Sequence, residues 1–306
     1  MTIHFKGKVA IVTGAGNGLG RSHALALTER GAKVVINDLG GARDGSGASS
    51  EAAQDVVKLI EEKGGEAFAH GANVAKFDEV EDMVKQTMDK WGRVDILINN
   101  AGILRDKSFA KMNLDDFKLV MDVHLMGSVN CSKAVWTIMR EQEYGRILMT
   151  TSSSGMYGNF GQANYGAAKM AVLGLMNTLV IEGAKNNIKV NALAPTAGTR
   201  MTEDLMPPEI YDMLTSEAVT AGALALLHED APTRTILCAG AGGYASTRLF
   251  ETEGIFLPAD QQSPENILSQ WDEISDTSNQ KEMMTGAQQS EKFLAKALAS
   301  VNKTAP

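Results

Sequence analysis

Cysteine is almost missing from this 306-residue chain, which holds only Cys131 and Cys238. The two are neither in C-x-x-C nor in metal-ligand spacing, so a disulfide-built fold and a thiolate metal site are excluded, and both read as buried thiols in a reducing compartment. Long apolar runs are lacking too. None reaches the roughly 18 residues that a bilayer span needs, although 44% of the residues are hydrophobic. The opening MTIHFKGK has no secretory h-region and the closing NKTAP is not a peroxisomal S-K-L type signal, so the expectation is a soluble, cytoplasmic protein without a membrane partner. Positive charge is also scarce, with 29 Lys and Arg against 37 Asp and Glu for a formal net charge of -8. That balance argues against nucleic acid or an anionic membrane as partner, and it requires any anionic substrate to find a local basic patch.

Glycine, in contrast, is plentiful and placed with meaning. The β-branched run KVAIVT at 8 to 13 meets Gly14, Gly16, Asn17, Gly18, Leu19 and Gly20, and a helical pattern from Arg21 to Arg30 follows. Strand, glycine loop and helix form the context of a phosphate-binding turn, in which the backbone can approach a pyrophosphate whose charge meets the helix N-terminal amides. A second strand, Lys33 to Asn37, ends at Asp38, about 20 residues past the loop. Its carboxylate can accept both ribose hydroxyls of an adenosine and would repel a 2′-phosphate. Neither Asn17 nor Leu39 supplies a cation for that phosphate, so the expected cofactor is NAD rather than NADP.

The Gly/Ser-rich stretch 40 to 50 reads as a flap near the adenosine end or as a plain surface loop. A third strand, Glu66 to Val74, carries Asn73 to the adenine edge, and a fourth, Val94 to Ile98, runs into Asn99-Asn100-Ala101-Gly102. Strands alternating with helices predict an α/β fold, a doubly wound parallel sheet of Rossmann type, with its ligand at the carboxyl ends of the strands.

The stretch Thr150 to Met170 offers the chemistry. Tyr165 and Lys169 are four apart in a helical run, so their side chains share a face, and Ser152 stands thirteen residues before the tyrosine at the end of a strand. Using a phenol of pKa near 10 as a base around neutral pH needs a stabilisation of roughly 3 to 4 kcal/mol. A lysine ammonium about 5 Å away supplies on the order of 3 kcal/mol at an effective dielectric of about 20. Ser152 would hold the reacting oxygen, Tyr165 would move the proton, and Lys169 would stabilise the phenolate. No metal site is expected.

The pattern T-G-x-x-x-G-x-G at 13 to 20, N-N-A-G at 99 to 102, and Ser152 with Tyr165 and Lys169 resembles the classical short-chain dehydrogenase/reductase family over roughly residues 5 to 250. Within it, NDLGG (37 to 41), NNAGILRDKSFAKM (99 to 112), GMYGNFGQANY (155 to 165) and IEGAKNNIKVNALAP (181 to 195) resemble the (3R)-hydroxyacyl-CoA dehydrogenase part of peroxisomal multifunctional enzymes type 2. The resemblance implies catalysis by Ser152, Tyr165 and Lys169, a cofactor pocket shaped by Val74, Asn100, Ala101, Gly102 and Pro195, and Lys169 touching the nicotinamide ribose. Two positions depart from the family pattern. His124 stands where an asparagine usually feeds a water relay, and it can serve through its backbone carbonyl, shuttle protons itself, or be a satisfied helix histidine. Pro195-Thr196 replaces the usual Pro-Gly, which leaves Thr199 as the expected carboxamide ligand.

The stretch from Met201 to Leu227 is expected to cover the substrate or to pack as core. Arg105, Lys107, Lys111 and Arg200 are candidate cations for a CoA thioester. Residues 1 to 257 are expected to form the dinucleotide-binding domain and 258 to 306 a helical C-terminal extension. The helix after Tyr165 carries small residues and a continuing apolar face, and the family likeness suggests a homodimer or homotetramer built on it and on the helix around Val129 to Met139. The leading reading is an NAD-dependent oxidation of a (3R)-hydroxyacyl-CoA to the 3-oxoacyl-CoA. The alternatives are a 3-oxoacyl-carrier-protein reductase or hydroxysteroid dehydrogenase of the same fold, or a dinucleotide sensor without chemistry.

Overall fold

The computed structural model describes residues 2–198 and 207–304. Its centre is an eight-stranded sheet in the order β3-β2-β1-β4-β5-β6-β7-β8. The strands are β1 (Val9–Thr13), β2 (Lys33–Asn37), β3 (Glu66–His70), β4 (Ile96–Asn99), β5 (Gly145–Thr150), β6 (Ile188–Thr196), β7 (Ile236–Gly240) and β8 (Gly243–Thr247). Neighbours from β3 to β7 pair in parallel. β8 follows β7 through Ala241 and Gly242, whose φ of 48° and 76° are those of a tight hairpin turn.

Parallel strands buried on both faces read as continuous apolar runs, and the alternation within each run decides which face a side chain meets. Ala10 and Val12 join Val34, Ile36, Ile96 and Ile98 beneath α1 (Gly18–Glu29), α2 (Glu51–Glu62) and α9 (Ser216–Leu227). Ile11, Val35, Leu97 and Ile147 turn the other way, onto α3 (Phe77–Trp91), α5 (Gly127–Glu141) and α7 (Ala163–Gly183). Shorter helices complete the layers: α4 (Leu114–Met121), α6 (Ser153–Tyr157) and α8 (Pro208–Met213). Cys131 is buried under α3 with its thiol pushed up to about 12 by burial, while Cys238 in β7 is only half-buried.

One expectation changes here. β3 stops at His70, so Asn73 and Val74 stand on the loop after it rather than on the strand. The reason is the Asn37 amide, which donates to the carbonyls of His70 and Ala72 and turns the chain. Val219, Ala223, Leu224 and Leu227 of α9 are buried against α1 and the sheet, which is the core packing that was one of the two readings for 201–227.

The chain divides into two compact units, residues 1–246 and 247–306. The cause is a non-local pairing of β9 (Phe250–Glu251) with β10 (Lys281–Glu282). The second unit also holds α10 (Pro264–Ser269), α11 (Trp271–Ile274) and α12 (Gly286–Thr304). A hollow within it is lined by Ile255, Phe256, Leu257, Ile267, Ile274 and Phe293, and none of its described residues is fully buried.

Candidate active site

At the carboxyl ends of the strands, Gly14, Asn17, Gly18, Leu19, Asp38, Asn73, Val74, Asn100, Ala101 and Gly102 line one cleft. The glycine loop is held from beneath. Thr13 Oγ1 accepts the backbone amides of Asn100 and Ala101 at 2.9 and 3.0 Å, and the Asn100 side chain donates to the carbonyls of Thr13 and Gly14 at 2.9 and 3.1 Å. Gly20 lies so close that a Cβ there would stand 2.2 Å from the Gly14 carbonyl oxygen. Gly16 is buried, and its amide donates to Asp38 Oδ2 at 2.7 Å. The other carboxylate oxygen of Asp38 accepts from Gly40 N at 2.7 Å. A cradle this close-packed against the N-terminus of α1, with an acid at its far end, fits a pyrophosphate and an adenosine ribose.

Residues 39–50 fold over this cleft as a compact loop, contributing Leu39, Gly41, Ala42, Arg43 and Gly45 to its lining. Ser49 N closes the neck on Leu39 O at 3.0 Å. Gly40 has φ 74°, and a Cβ would fall 1.7 Å from Ser49 O, so only glycine allows the crossing. Arg43 therefore enters the cofactor cleft from five residues beyond Asp38, a placement that strand and loop spacing alone did not show.

Ser152 caps the N-terminus of α6, its Oγ accepting Ser154 N at 3.2 Å, and its hydroxyl stands near enough to Tyr165 to lower the phenol's pKa. Lys169 is 4% exposed, donates to Thr150 O at 2.6 Å, and holds Nζ 5.5 Å from the centroid of the Tyr165 ring. The hydroxyl, the phenol and the lysine are thus brought together. Their electrostatics differ from the simple expectation. Burial lowers Lys169 to about 7, so much of its population is neutral at neutral pH. Tyr165 is raised by burial, opposed by the Ser152 hydrogen bond and augmented by Asp106. Desolvation, which spacing cannot reveal, outweighs the attraction that favoured a phenolate.

His124 lies in a π-helical turn, Asp122–Met126, between α4 and α5. Its Nε2 lies 2.8 Å from Ile103 O and 3.1 Å from Ile103 N, so one tautomer donates and the other accepts. Its Nδ1 is buried without a partner among the described residues. Its backbone carbonyl accepts from Ser128 Oγ at 2.7 Å. Burial first, and then the Lys169 charge, hold the ring well below its ordinary pKa against a raising contribution from Ile103.

The model of the short chain dehydrogenases matches residues 8–209. The chain belongs to the short chain dehydrogenase family. It is 48% identical over 283 residues to the peroxisomal multifunctional enzyme A of Dictyostelium discoideum, covering 91% of this chain and 62% of that one. The structure of full-length peroxisomal multifunctional enzyme type 2 from Drosophila melanogaster superposes with a TM-score of 0.80 and 37% identity over 96% of this chain and 50% of that one. A 7α-hydroxysteroid dehydrogenase complexed with NADH and 7-oxo glycochenodeoxycholic acid gives a TM-score of 0.71 at 30% identity, covering 78% of this chain and 95% of that one. This short chain dehydrogenase thus resembles the dehydrogenase part of the multifunctional enzymes, and it spans 62% and 50% of the lengths of these two. As a member of that family it is an oxidoreductase.

Other expected site residues divide. Pro195 and Thr196 close β6, paired with Ala239 and Gly240. Thr199 and Arg200 lie outside the described residues, as does Met201 to Met206 of the expected substrate cover. Three of the four expected CoA cations, Arg105, Lys107 and Lys111, lie among the described residues. Arg105 is committed to Asp116 and to Asp44 O, while Lys107 and Lys111 are exposed. Among the described residues no group of three or more His, Cys, Asp or Glu is placed to hold a metal. One helix, Ala163–Asn186, is long and apolar enough to cross a membrane by length and composition alone, yet it carries Tyr165 and Lys169 and packs against β5, β6, α4 and α6.

Proposed function

We propose that this dehydrogenase oxidises the 3-hydroxyl of a (3R)-hydroxyacyl-CoA to the 3-oxoacyl-CoA with NAD. The observation that carries the reading is Tyr165 with the Ser152 hydroxyl near it and Lys169 Nζ 5.5 Å from its ring centroid, next to the cleft that Asp38 lines. The apolar cluster of Ile103, Leu119, Val123 and Tyr165 joins the two, since the first three also line the cleft. A nicotinamide dinucleotide held by the glycine loop and Asp38 would supply the acceptor for the hydride that leaves the alcohol carbon. Ser152 holds the alcohol oxygen by its hydroxyl, and Tyr165 takes the hydroxyl proton as the carbonyl forms. Lys169, when protonated, stabilises the tyrosinate through space.

NAD is favoured over NADP because both oxygens of Asp38 face backbone amides at the adenosine end, where a 2′-phosphate would meet a carboxylate. Arg43 in the same lining is the one feature that runs the other way. The thioester substrate rests on likeness to proteins named peroxisomal multifunctional enzyme type 2. A homodimer is included in the proposal, built on the face of α7 where Met170, Gly174 and Ile181 are exposed.

NADH absorbance with NAD and a panel of (3R)- and (3S)-hydroxyacyl-CoAs tests the reading. Turnover of the (3R) compounds supports it. Turnover only of acyl-carrier-protein thioesters with NADPH, or only of steroids, would replace the substrate. NAD binding with no turnover of any alcohol would leave a sensor.

A further inference from the structure

Arg105 was expected among cations for a substrate phosphate, and its actual contacts give it another task. Its Nε donates to Asp44 O, at the tip of the cleft-covering loop, at 2.9 Å, while its Nη1 pairs with Asp116 on α4. The neighbouring Leu104 N donates to Arg43 O at 3.0 Å, and Ile103 packs so closely that a Cβ on Gly45 would lie 3.1 Å from its Cγ2. Three consecutive residues thus grip the loop along its inner edge. The same segment is fixed on its other side. The Arg105 carbonyl accepts from the buried Asn164 amide at 3.0 Å, and Asn164 Oδ1 accepts Tyr165 N at 2.7 Å.

We infer that Arg105 is a positioning residue, a latch that holds the 39–50 loop closed over the dinucleotide and ties that closure to the helix bearing Tyr165. An isolated surface ion pair contributes little. A planar guanidinium that donates at once to a carboxylate on α4 and to a carbonyl on a glycine-rich loop does something different, because its rigid fork fixes the separation of the two elements. Without it, the loop, with glycines at 40, 41, 45 and 47, must be ordered each time a dinucleotide binds. Lysine cannot replace it, since a single ammonium does not span both acceptors in one geometry.

This inference rests on the proposed dinucleotide cleft, and the test separates the two. Wild-type protein, Arg105→Ala, Arg105→Lys and Asp116→Asn are compared in three readouts: NADH affinity by fluorescence, KM for a hydroxyacyl-CoA at saturating NAD, and tryptic cutting after Arg43 with and without NADH. The expected result is a NADH Kd raised about tenfold in Arg105→Ala, the worth of a lost charged hydrogen bond. Arg105→Lys should follow it and Asp116→Asn should fall between. KM for the thioester should stay within about twofold of wild type at saturating NAD. NADH should slow cutting after Arg43 in the wild type and not in Arg105→Ala. A raised thioester KM with unchanged NADH affinity would return Arg105 to the substrate and overturn the latch. Unchanged values throughout would make it a surface ion pair. Failure of the wild type itself to bind NADH would remove the cleft assignment, and the latch with it.

Discussion

The imidazole of His124 and the phenol of Tyr165 meet edge to face, with ring centroids 5.1 Å apart and planes at 89°. The same imidazole lies against Gly102, where a Cβ would stand 2.3 Å from His124 Cε1. His124 therefore wedges between the strap that supports the glycine loop and the residue proposed to move the proton. Its neutral ring and its contacts with Ile103 make it a support, with the turn's backbone carbonyl still carrying a second lone pair. His124→Asn should keep at least about a tenth of the wild-type kcat, a loss of no more than roughly 1.4 kcal/mol in barrier. Steady-state turnover decides it. A loss beyond about a thousandfold would mean that the buried Nδ1 carries protons.

For the cofactor, the expected result is kcat/KM at least about tenfold higher with NAD than with NADP, an effect of roughly 1.4 kcal/mol. Asp38→Ala should narrow that gap while raising KM for NAD, because the same carboxylate holds the amides of Gly16 and Gly40. In the Asp38→Ala background, Arg43→Ala should remove part of the gained NADP activity. Equal use of both dinucleotides by the wild type would contradict the assignment.

Acid should weaken the fold through a histidine outside the site. His23 is wholly buried, with Nδ1 2.7 Å from Thr220 Oγ1, and burial lowers its pKa to about 4. In the unfolded chain it titrates near 6.5. Between these values the unfolded state binds a proton that the folded state refuses, so stability rises with pH across the window and falls as the solution is acidified from 6.5 towards 4. The loss over the window is roughly 3 kcal/mol. His124 acts in the same sense. Melting temperatures at several pH values should show a shallower acid decline in His23→Gln than in wild type, and parallel curves would refute the assignment.

The contrast between Asp38 and Arg43 shows what the sequence could disclose. Asp38, Ser152 and the glycine loop were legible because each stands just after a strand, and Tyr165 with Lys169 because residues four apart on one helix share a face. Arg43 and Arg105 were not, since their placement depends on a loop folding back through contacts between residues 43–45 and 103–105. The lowered pKa of Lys169 was not legible for a different reason: spacing gives a distance, whereas the lowering follows from burial. The pairing of 250–251 with 281–282, some thirty residues onward in the chain, was likewise not legible.

Association can be tested at Gly174. A Cβ built there meets nothing within 4 Å in the protomer, so a large side chain is tolerated by the fold itself. Gly174→Arg should convert the homodimer proposed here to monomer by light scattering while leaving the circular dichroism spectrum unchanged. A wild-type protein that is monomeric at micromolar concentration would contradict the proposal.

The central claim is that Tyr165 moves the proton. Tyr165→Phe removes one oxygen from a ring already packed against His124, Leu119 and Val123, so the cleft should survive and NADH should bind with wild-type affinity. The most direct measurement is kcat for oxidation of a (3R)-hydroxyacyl-CoA by this variant, made alongside its NADH affinity. The account predicts a fall of about 10² to 10⁴ in kcat, the usual worth of a positioned acid or base, with NADH binding unchanged. Turnover near that of the wild type, with NADH still bound, would contradict it.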